Sequence, residues 1–438
     1  MKNENPNHLK KALGYSFGIA IVVGSTIGAG ILRTPGIIAG LLDNYWLIIS
    51  CWIVGGLYVL LGVGSFSELA TSLPQAGGAY NYVKRAFGNY AGFLTGWFDY
   101  IASAIAPAYF CIVISEYIVI LFPSLKNQNT FIALSFLISF TLINYQGVKN
   151  GSIVQQISSV VKVLFFAAFI VACFSYSGIK VSPIENHPFI LEASVFVAFF
   201  KSLQMVIGTY DGWFAGAYFA EEDENPSKNI PKSLYTGAIV IIAIYVIINI
   251  AFFYVLPVAE LANSPLAASE VSKVVFGENG AVIVTAIAVF SMISILNAYM
   301  MIPARILFGL SRDGFFIDKA TKINKGGTPI NALLISVIFA FILIIVGTFE
   351  ILFALTAFMS IVVLGLAYAA LIKLRISEPN LPRPYKSWGY PYSTIIIILF
   401  SLLLFLGFAY SDHYSLLVIG IITLLSYPLF LLLNRNKK

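Results

Sequence analysis

The sequence predicts an all-α integral membrane protein of about twelve transmembrane helices, arranged as a five-plus-five inverted repeat with broken helices 1 and 6. Three observations support this fold class. The composition is strongly apolar, apolar runs of membrane-spanning length recur along the chain, and two of these runs carry glycine-rich interruptions at matching positions.

The composition indicates a chain that is surrounded by lipid. Of 438 residues, 59% are hydrophobic and 11% are charged, and the mean hydropathy is +0.88. A soluble protein of this length could not cover its surface with so few polar groups. The first apolar run follows a polar stretch without a small-residue cleavage site, so we expect it to remain in the mature protein.

Apolar runs of the required length recur from one end of the chain to the other. About 20 residues of helix cross about 30 Å of hydrocarbon. We place spans 1 to 12 at residues 13–40, 44–72, 89–122, 130–148, 152–176, 192–221, 233–256, 279–310, 330–348, 351–373, 392–410 and 414–434. The first repeat then covers residues 13–176, the second 192–373, and spans 11 and 12 residues 391–434, with tails at 1–12 and 435–438.

The distribution of Lys and Arg predicts the orientation. Of 26 such residues, Lys126, Lys180 and Lys273 fall in one set of alternate loops, and Arg33, Lys162 and Lys201 fall within spans. All the others lie in the tails or in the loops on the same side as the tails. Because basic residues concentrate on the cytoplasmic side, both termini are predicted to be cytoplasmic in a multi-pass protein of the plasma (inner) membrane.

Two spans contain sequences that favour a break in the helix. Gly24-Ser-Thr-Ile-Gly-Ala-Gly30 interrupts span 1, and Gly208-Thr-Tyr-Asp-Gly212 interrupts span 6. Such glycines can instead permit close helix packing. Breaks at corresponding positions in two halves are typical of inverted-repeat transporters, whose substrate site lies between the unwound segments.

Four motifs carry a resemblance to a known family over residues 12–390. They are Gly24-Ser-Thr-Ile-Gly-Ala-Gly-Ile31, Glu68-Leu-Ala-Thr-Ser-Leu-Pro-Gln-Ala-Gly-Gly-Ala-Tyr80, Tyr210-Asp-Gly-Trp213 with Glu221-Glu222 and Asn225-Pro226, and Arg312-Asp-Gly314. The chain resembles the amino acid, polyamine and organocation superfamily, and within it the bacterial relatives of L-type amino acid transporters. The resemblance implies amino acid transport by alternating access without a cofactor or metal. It leaves open whether a partner subunit exists.

The resemblance also implies where a substrate binds. The N–H groups of Gly28, Ala29 and Gly30 would receive the substrate carboxylate at a positive helix end. Carbonyl groups at the breaks would receive the ammonium. The implied substrate-binding set is Thr26, Ile27, Gly28, Ala29, Gly30, Ile207, Gly208, Thr209 and Asp211. L-type relatives commonly have a bulky aromatic residue at the position of Gly208, so either another aromatic closes the site or the pocket is roomier.

Lys162, near the middle of span 5, is the clearest intramembrane charge. Sodium-coupled carriers of this fold bind sodium between spans 1, 5 and 8. An ammonium there resembles a built-in substitute cation, which predicts sodium independence. A structural lysine paired with a carboxylate or carbonyl groups is the alternative, and coupling to protons through Lys162 stays open because a buried lysine can lose its proton.

Other charged and aromatic residues are candidates for gating or for ion pairs. Arg33 could pair with Asp99, Glu116 or Asp211, or reach an acidic substrate. Lys201 is expected to extend toward the extracellular interface, with Asp99 or Glu116 as possible partners. The gating candidates are Arg33, Glu68, Tyr210, Trp213, Glu221 and Arg312. Glu68, Glu221, Glu222 and Arg312 are expected to form an inner network that seals the pathway.

The function predicted from these features is sodium-independent uptake or exchange of neutral L-amino acids. The alternatives are proton-coupled uptake, a carrier for acidic or cationic amino acids or polyamines, and a channel. An enzyme is not expected, because His8, His187 and His413 fall in tails or loops and no metal or nucleophile motif is present. The three cysteines lie in apolar stretches and are expected to be core residues. No nucleic-acid motif is visible.

Overall fold

The computed structural model describes residues 9–177, 193–262, 264, 266–347 and 349–435. Every regular element of this described chain is a helix. Span 1 comprises Tyr15–Thr26 and Gly30–Leu42, and span 6 comprises Ala193–Tyr210 followed by the 3-10 helix Trp213–Phe219. The other spans are Tyr45–Ser72, Asn89–Leu121, Asn129–Gln146, Val148–Ser175, Pro226–Val255, Gly280–Arg312, Ile330–Val346, Phe349–Ser377, Tyr392–Ser411 and His413–Arg435.

The described residues contain eight helices long and apolar enough to cross a membrane, or nine if the bent pair in span 1 is one span. Further, less apolar or shorter helices form spans 4, 6 and 9, so the fold agrees with the predicted class of about twelve spans. Span 7 begins at Pro226 rather than at residue 233. A proline fits the first helical position because no N–H bond is lost there, so the helix starts in a polar segment that a search for apolar runs passes over.

Spans 3 and 8 form the centre of the bundle, where span 1 packs against spans 5, 7 and 8. In spans 2 and 3, 61% of the apolar length is buried, whereas in span 12 the figure is 11%. Span 12 therefore lies at the periphery, and span 11 packs mainly on span 10. The boundaries given above for the two repeats stay a prediction.

Both described ends of the chain lie on one face, which we call the inner face. The N–H groups of Ala12 and Leu13 donate to the Glu222 carbonyl, each at 3.0 Å. Near the other end, Phe430 of span 12 packs on Phe93 and Phe315, with ring centroids 5.5 and 5.9 Å apart. Residues 1–8 and 436–438 of the predicted tails, Lys180 and His187 lie outside the described residues. The cytoplasmic orientation of this face stays a prediction.

Span 1 bends by 44° between its halves. Thr26 ends the inner half, Ile27 adopts an extended backbone conformation, and the outer half begins at Gly30. Span 6 stops at Tyr210, and Gly212 has a φ of +99°, a value that residues with a Cβ rarely adopt. Both predicted interruptions are therefore breaks in the helices.

Candidate functional site

The breaks of spans 1 and 6 lie side by side. The Ser25 hydroxyl donates to the Gly212 carbonyl at 2.9 Å, and a Cβ added to Gly212 would lie 2.6 Å from the Ser25 carbonyl oxygen. On the outer side, the hydroxyl oxygens of Thr34 and Thr209 are 3.0 Å apart. Glycine at position 212 thus serves both its backbone conformation and the close approach of the two backbones.

The outer half of span 1 begins with free backbone N–H groups. Among the described residues, no acceptor receives a hydrogen bond from the N–H of Gly28, Ala29 or Gly30. Gly28 is buried, Ala29 is half-buried and Gly30 is exposed. Free N–H groups at a helix N-terminus form a positive, directional site for an anion such as a carboxylate.

Carbonyl groups at the same depth are only partly occupied. Those of Thr26 and Thr209 accept hydrogen bonds from the Tyr245 hydroxyl, and that of Gly208 accepts from the N–H of Asp211 at 3.3 Å. The carbonyl of Ile207 lies within the helix Ala193–Tyr210, whereas that of Asp211 lies beyond the helix and receives no donor from the described residues. Of the carbonyls predicted for an ammonium, that of Asp211 is available.

Tyr245 of span 7 was not predicted. Its fully buried hydroxyl lies 3.1 Å from both the Thr26 and the Thr209 carbonyl oxygens, so one side chain joins the two breaks. In the sequence it is a single tyrosine in an apolar run, which carries no signal beyond the presence of one hydroxyl in mid-span.

The position of Gly208 opens onto space. A Cβ added there would meet no atom within 4 Å, and the residue is exposed. The two aromatic candidates nearby are packed: Tyr210 donates to the Trp52 carbonyl, and Trp213 lies against the ring of Phe66. Both are buried. Neither ring covers the space beside Gly208 in this conformation, and the gating role of each stays a prediction.

Lys162 is fully buried and points at the inner half of span 1. Its ammonium donates to the carbonyl oxygens of Gly24 and Ile27 at 2.8 and 2.5 Å. These carbonyls lie at the end of a broken helix, where main-chain acceptors lack intrahelical donors. Lys162 therefore joins span 5 to the break with carbonyl groups as its partners.

A chain of buried polar side chains continues from span 5 to span 8. The Ser159 hydroxyl donates to the Ala20 carbonyl at 2.7 Å and lies 3.2 Å from the Ser294 hydroxyl. Gln155 donates to both hydroxyls, at 3.4 and 3.3 Å. A Cβ on Gly24 would lie 1.9 Å from the Gln155 amide nitrogen, so this network requires glycine there. The network carries no signal in the sequence, because serine is common in helices of membrane proteins.

The remaining intramembrane charges do not form the predicted pairs with Asp99. Asp99 accepts hydrogen bonds from Tyr218 and is paired with neither Arg33 nor Lys201 among the described contacts. Arg33 is exposed on the outer half of span 1. Both Arg33 and Glu116 lie near enough to Tyr117 to act on it electrostatically. Lys201 is exposed, as expected of a side chain that extends to an interface.

Glu221 joins three parts of the inner face. Its carboxylate accepts from the N–H groups of Leu9 and Ala76 at 3.1 and 2.7 Å and from Arg312 at 2.8 Å. Burial raises the pKa of this carboxyl, but the Ala76 N–H and the Arg312 guanidinium outweigh it, so the pKa lies below its usual value. The carboxylate is therefore ionised at neutral pH.

The neighbouring Glu222 forms the most deeply buried ion pair of the described chain. Both carboxylate oxygens receive Arg305, at 2.8 and 3.0 Å, and the guanidinium lies over the ring of Phe219. The two side chains are 0% and 2% exposed. Arg305 was not predicted as a gating residue, although an arginine in the last turns of a span was a signal that it has a buried partner.

Glu68 belongs to a separate cluster. Both its oxygens accept from Arg375 at 2.7 Å, one lies 3.3 Å from Arg383, and one accepts from the Ser387 N–H at 2.7 Å. This cluster ties span 2 to the end of span 10 and the segment after it. The single inner network expected from the sequence is thus two clusters, because Glu68 and Glu221 have different arginine partners.

Comparison with known proteins identifies the family. The family model described as amino acid permease matches residues 13–425, nearly the whole chain. The chain belongs to the amino acid permease family. It is therefore a member of the amino acid, polyamine and organocation superfamily, and the resemblance noted in the sequence is confirmed.

The relatives of this permease are transporters and not enzymes. It is 26% identical over 403 residues to the serine/threonine exchanger SteT of Bacillus subtilis strain 168, covering 90% of each chain. It is 29% identical to the b(0,+)-type amino acid transporter 1 of Mus musculus, covering 91% of this chain and 82% of the relative. It is also 29% identical to the human large neutral amino acids transporter small subunit 2, covering 86% and 72%.

Proposed function

We propose that this permease carries neutral L-amino acids across the plasma membrane by alternating access, independently of sodium, in uptake or exchange. One observation carries the proposal: the free N–H groups of Gly28, Ala29 and Gly30 belong to a break that adjoins the break of span 6, where the Asp211 carbonyl is free. Every α-amino acid presents a carboxylate and an ammonium. A site made of backbone donors and acceptors binds both groups and leaves the side chain to determine selectivity.

The space beside Gly208 is the place where a substrate side chain fits. Glycine leaves this space open, and a larger residue would fill it. The site is therefore suited to side chains of more than the smallest size. The relatives include an exchanger for serine and threonine and a subunit of a transporter for large neutral amino acids, which supports neutral substrates.

The position of Lys162 supports sodium independence. Sodium is held by oxygen atoms, and the ammonium of Lys162 already contacts the carbonyl oxygens of Gly24 and Ile27. An ammonium at this place stabilises the end of the broken helix as a bound cation would. No external cation is then needed to hold the break together.

Asp211 favours a second candidate, a carrier of cationic amino acids. Its carboxylate has no positively charged partner among the described residues, although the Gly212 N–H donates to it. A carboxylate at the break can bind a second ammonium or a guanidinium on a substrate. The b(0,+)-type relatives share a similar level of identity with this chain and do not decide between the candidates.

Flux measurements with the purified protein in proteoliposomes test the proposal. Vesicles loaded or not loaded with unlabelled L-serine would take up labelled L-serine or L-leucine, with sodium present or replaced by choline. We expect saturable uptake that does not change when sodium is replaced. Labelled L-lysine, L-glutamate and putrescine test the other substrate classes. Loss of flux without sodium, or unsaturable flux with single-channel currents, would refute the proposal.

Two matched glycine variants test whether the breaks form the site. Gly212→Ala places a Cβ 2.6 Å from the Ser25 carbonyl oxygen at a φ of +99°, so it should abolish flux. Gly208→Ala places the same methyl group in open space, so the protein should fold and shift its selectivity toward smaller substrates. Equal flux for both variants would contradict a site between the breaks.

A further inference from the structure

Asp99 is a buried carboxylate without a cation. It lies in span 3 toward the inner face, is 5% exposed, and forms no ion pair among the described residues. Its contacts are to the hydroxyl oxygen of Tyr218, which lies 2.9 and 2.8 Å from the two carboxylate oxygens. An ionised carboxylate in such a place is unfavourable by several kcal/mol unless it is paired.

The Tyr218 hydroxyl carries one hydrogen atom but lies within hydrogen-bond distance of both Asp99 oxygens. An ionised Asp99 has none, and the Tyr218 hydroxyl supplies one, so one of the two oxygen–oxygen contacts would lack a hydrogen or share it. A protonated Asp99 supplies the second hydrogen. The carboxylic acid then donates to the tyrosine oxygen while the tyrosine hydroxyl donates to the other carboxyl oxygen. The observed geometry is thus fully satisfied by the protonated acid.

The groups that face Asp99 also favour a neutral side chain. They are Tyr218 and Asp211 of span 6, Tyr82 of the helix Ala79–Phe87, and Tyr299 of span 8. The tyrosines are neutral, and Asp211 is a like charge. Spans 4, 9, 10 and 12 also pack against span 3, but no charged group of theirs acts on Asp99 within the described chain.

Tyr218 connects this carboxyl group to the inner gate. It lies in the 3-10 helix Trp213–Phe219, three residues before Glu221. The inner part of span 6 must move if the inner face is to open, because Glu221 and Glu222 join it to Leu9, Ala76 and the arginines of span 8. Such a movement separates Tyr218 from Asp99.

We propose that Asp99 is the binding site of a coupling proton in the transport cycle. The inference rests on the proposed function and adds a driving ion to it. The Asp99 carboxylate takes up one proton from the outer side to become a carboxylic acid, which holds Tyr218 and the closed inner face. When the inner part of span 6 moves away, the carboxyl group meets water and releases that proton to the inside.

Proteoliposome flux under a pH gradient tests the site. For the wild type, one proton per substrate gives about tenfold accumulation for each pH unit that the outside is more acidic. Asp99→Asn resembles the protonated acid, so it should keep exchange of internal for external amino acid and lose the stimulation by the gradient. A wild-type flux that ignores the gradient, or an Asp99→Asn variant that keeps the stimulation, would overturn the proposal.

Matched tyrosine variants separate a specific pair from a general effect. Tyr218→Phe should shift the pH profile of flux, because Asp99 loses the hydroxyl that it contacts. Tyr82→Phe is the control: its buried hydroxyl has no hydrogen-bond partner among the described residues, and the pH profile should stay unchanged. Equal effects of the two variants would contradict a role for the Tyr218 contact.

Infrared spectroscopy gives a readout that does not depend on flux. A carboxylic acid band that is absent from Asp99→Asn, and that disappears from the wild type as the pH rises, is the expected result. No such band, or a band that persists unchanged at every pH, would overturn the proposal. If the band titrates as expected but no amino acid is transported, the proposed function has failed and the proton site has not.

Discussion

The centre of this permease and its inner face use charged residues in opposite ways. At the inner face, Glu221 and Glu222 pair with Arg312 and Arg305. In the centre, Lys162 contacts only backbone carbonyls, and Asp99 contacts only a hydroxyl among the described residues. A pair of opposite charges is neutral without any further ligand. An ionisable side chain held by neutral groups remains able to gain or lose a proton.

This difference matches two tasks. In the proposed function, the inner face stays closed while substrate binds from the other side, and arginine–carboxylate pairs such as the bidentate pair of Arg305 and Glu222 are suited to strong, directional closure. In the same proposal the centre binds and releases ligands, and free N–H groups, a free carbonyl and ionisable side chains without a charged partner are suited to this. Variants that each remove one charge therefore distinguish the two regions.

The largest expected effect is on stability, from removal of Arg305. Arg305→Ala leaves the Glu222 carboxylate buried without a partner, and breaking such a pair typically costs about 3–5 kcal/mol. We expect a strong loss of folded protein and of thermal stability in detergent. Arg85→Ala is the control, because it breaks the ion pair with Glu378 in which Arg85 is 57% exposed, and should change little.

A double variant shows whether charge is the cause. Arg305→Met with Glu222→Leu removes both charges and keeps apolar volume, so most of the stability should return. If the double variant is no more stable than Arg305→Ala, lost packing on Phe219 explains the effect and the proposed contrast in charge pairing is wrong.

The breaks in spans 1 and 6 could be predicted from the sequence, whereas most of the groups that contact them could not. Gly24–Gly30 and Gly208–Gly212 stood out because glycine clusters are rare enough in helices to mark a change of backbone conformation. Lys162 stood out because charges in spans are costly. Their partners are carbonyls, serines and a tyrosine that only the packing of distant spans brings together. Tyr245 and Ser294 therefore carried no signal.

The arginine partners show the same limit. Glu68 and Glu221 were both expected at the inner end of the pathway, and both lie there. Their assignment to one network was wrong, because the arginine nearest to each depends on how span 10 packs beside span 2. Charge counts along a chain predict that a charge has a partner, but not which one.

At the centre, removal of the Lys162 charge should lower the rate of transport. Lys162→Met keeps most of the side chain's length but leaves the Gly24 and Ile27 carbonyls without their donor. Because hydrogen bonds from a charged group contribute about 1.5–3 kcal/mol each, flux should fall by roughly tenfold or more. The protein should still insert and remain folded. Initial rates of uptake in proteoliposomes, normalised to protein incorporated, measure this.

Lys201→Met is the matched control for Lys162→Met. It removes the same charge from another span, at an exposed position, and should leave flux unchanged. Retained flux in Lys162→Met would show that Lys162 is not needed to hold the break, and the argument for sodium independence would lose its support.

The smallest effect is expected at the gate, from Glu221→Gln. The variant weakens inner closure by about 1 kcal/mol, so the external substrate concentration for half-maximal uptake should rise up to about fivefold through a shift away from the outward-facing state.

This effect of Glu221 should not depend on pH near neutrality. The pKa of Glu221 lies below its ordinary value of about 4.3. The stability that the ionised carboxylate gives to the closed inner face is therefore complete above about 4.3 and is lost only as the pH falls further, through the folded-state pKa. The ratio of wild type to Glu221→Gln should therefore be the same at about pH 5.5 and about pH 7.5, whereas the effect of Asp99→Asn should differ between them. A Glu221→Gln ratio that changes over this range would place a titrating group in the gate itself, and the separation of a fixed inner face from a titratable centre would fail.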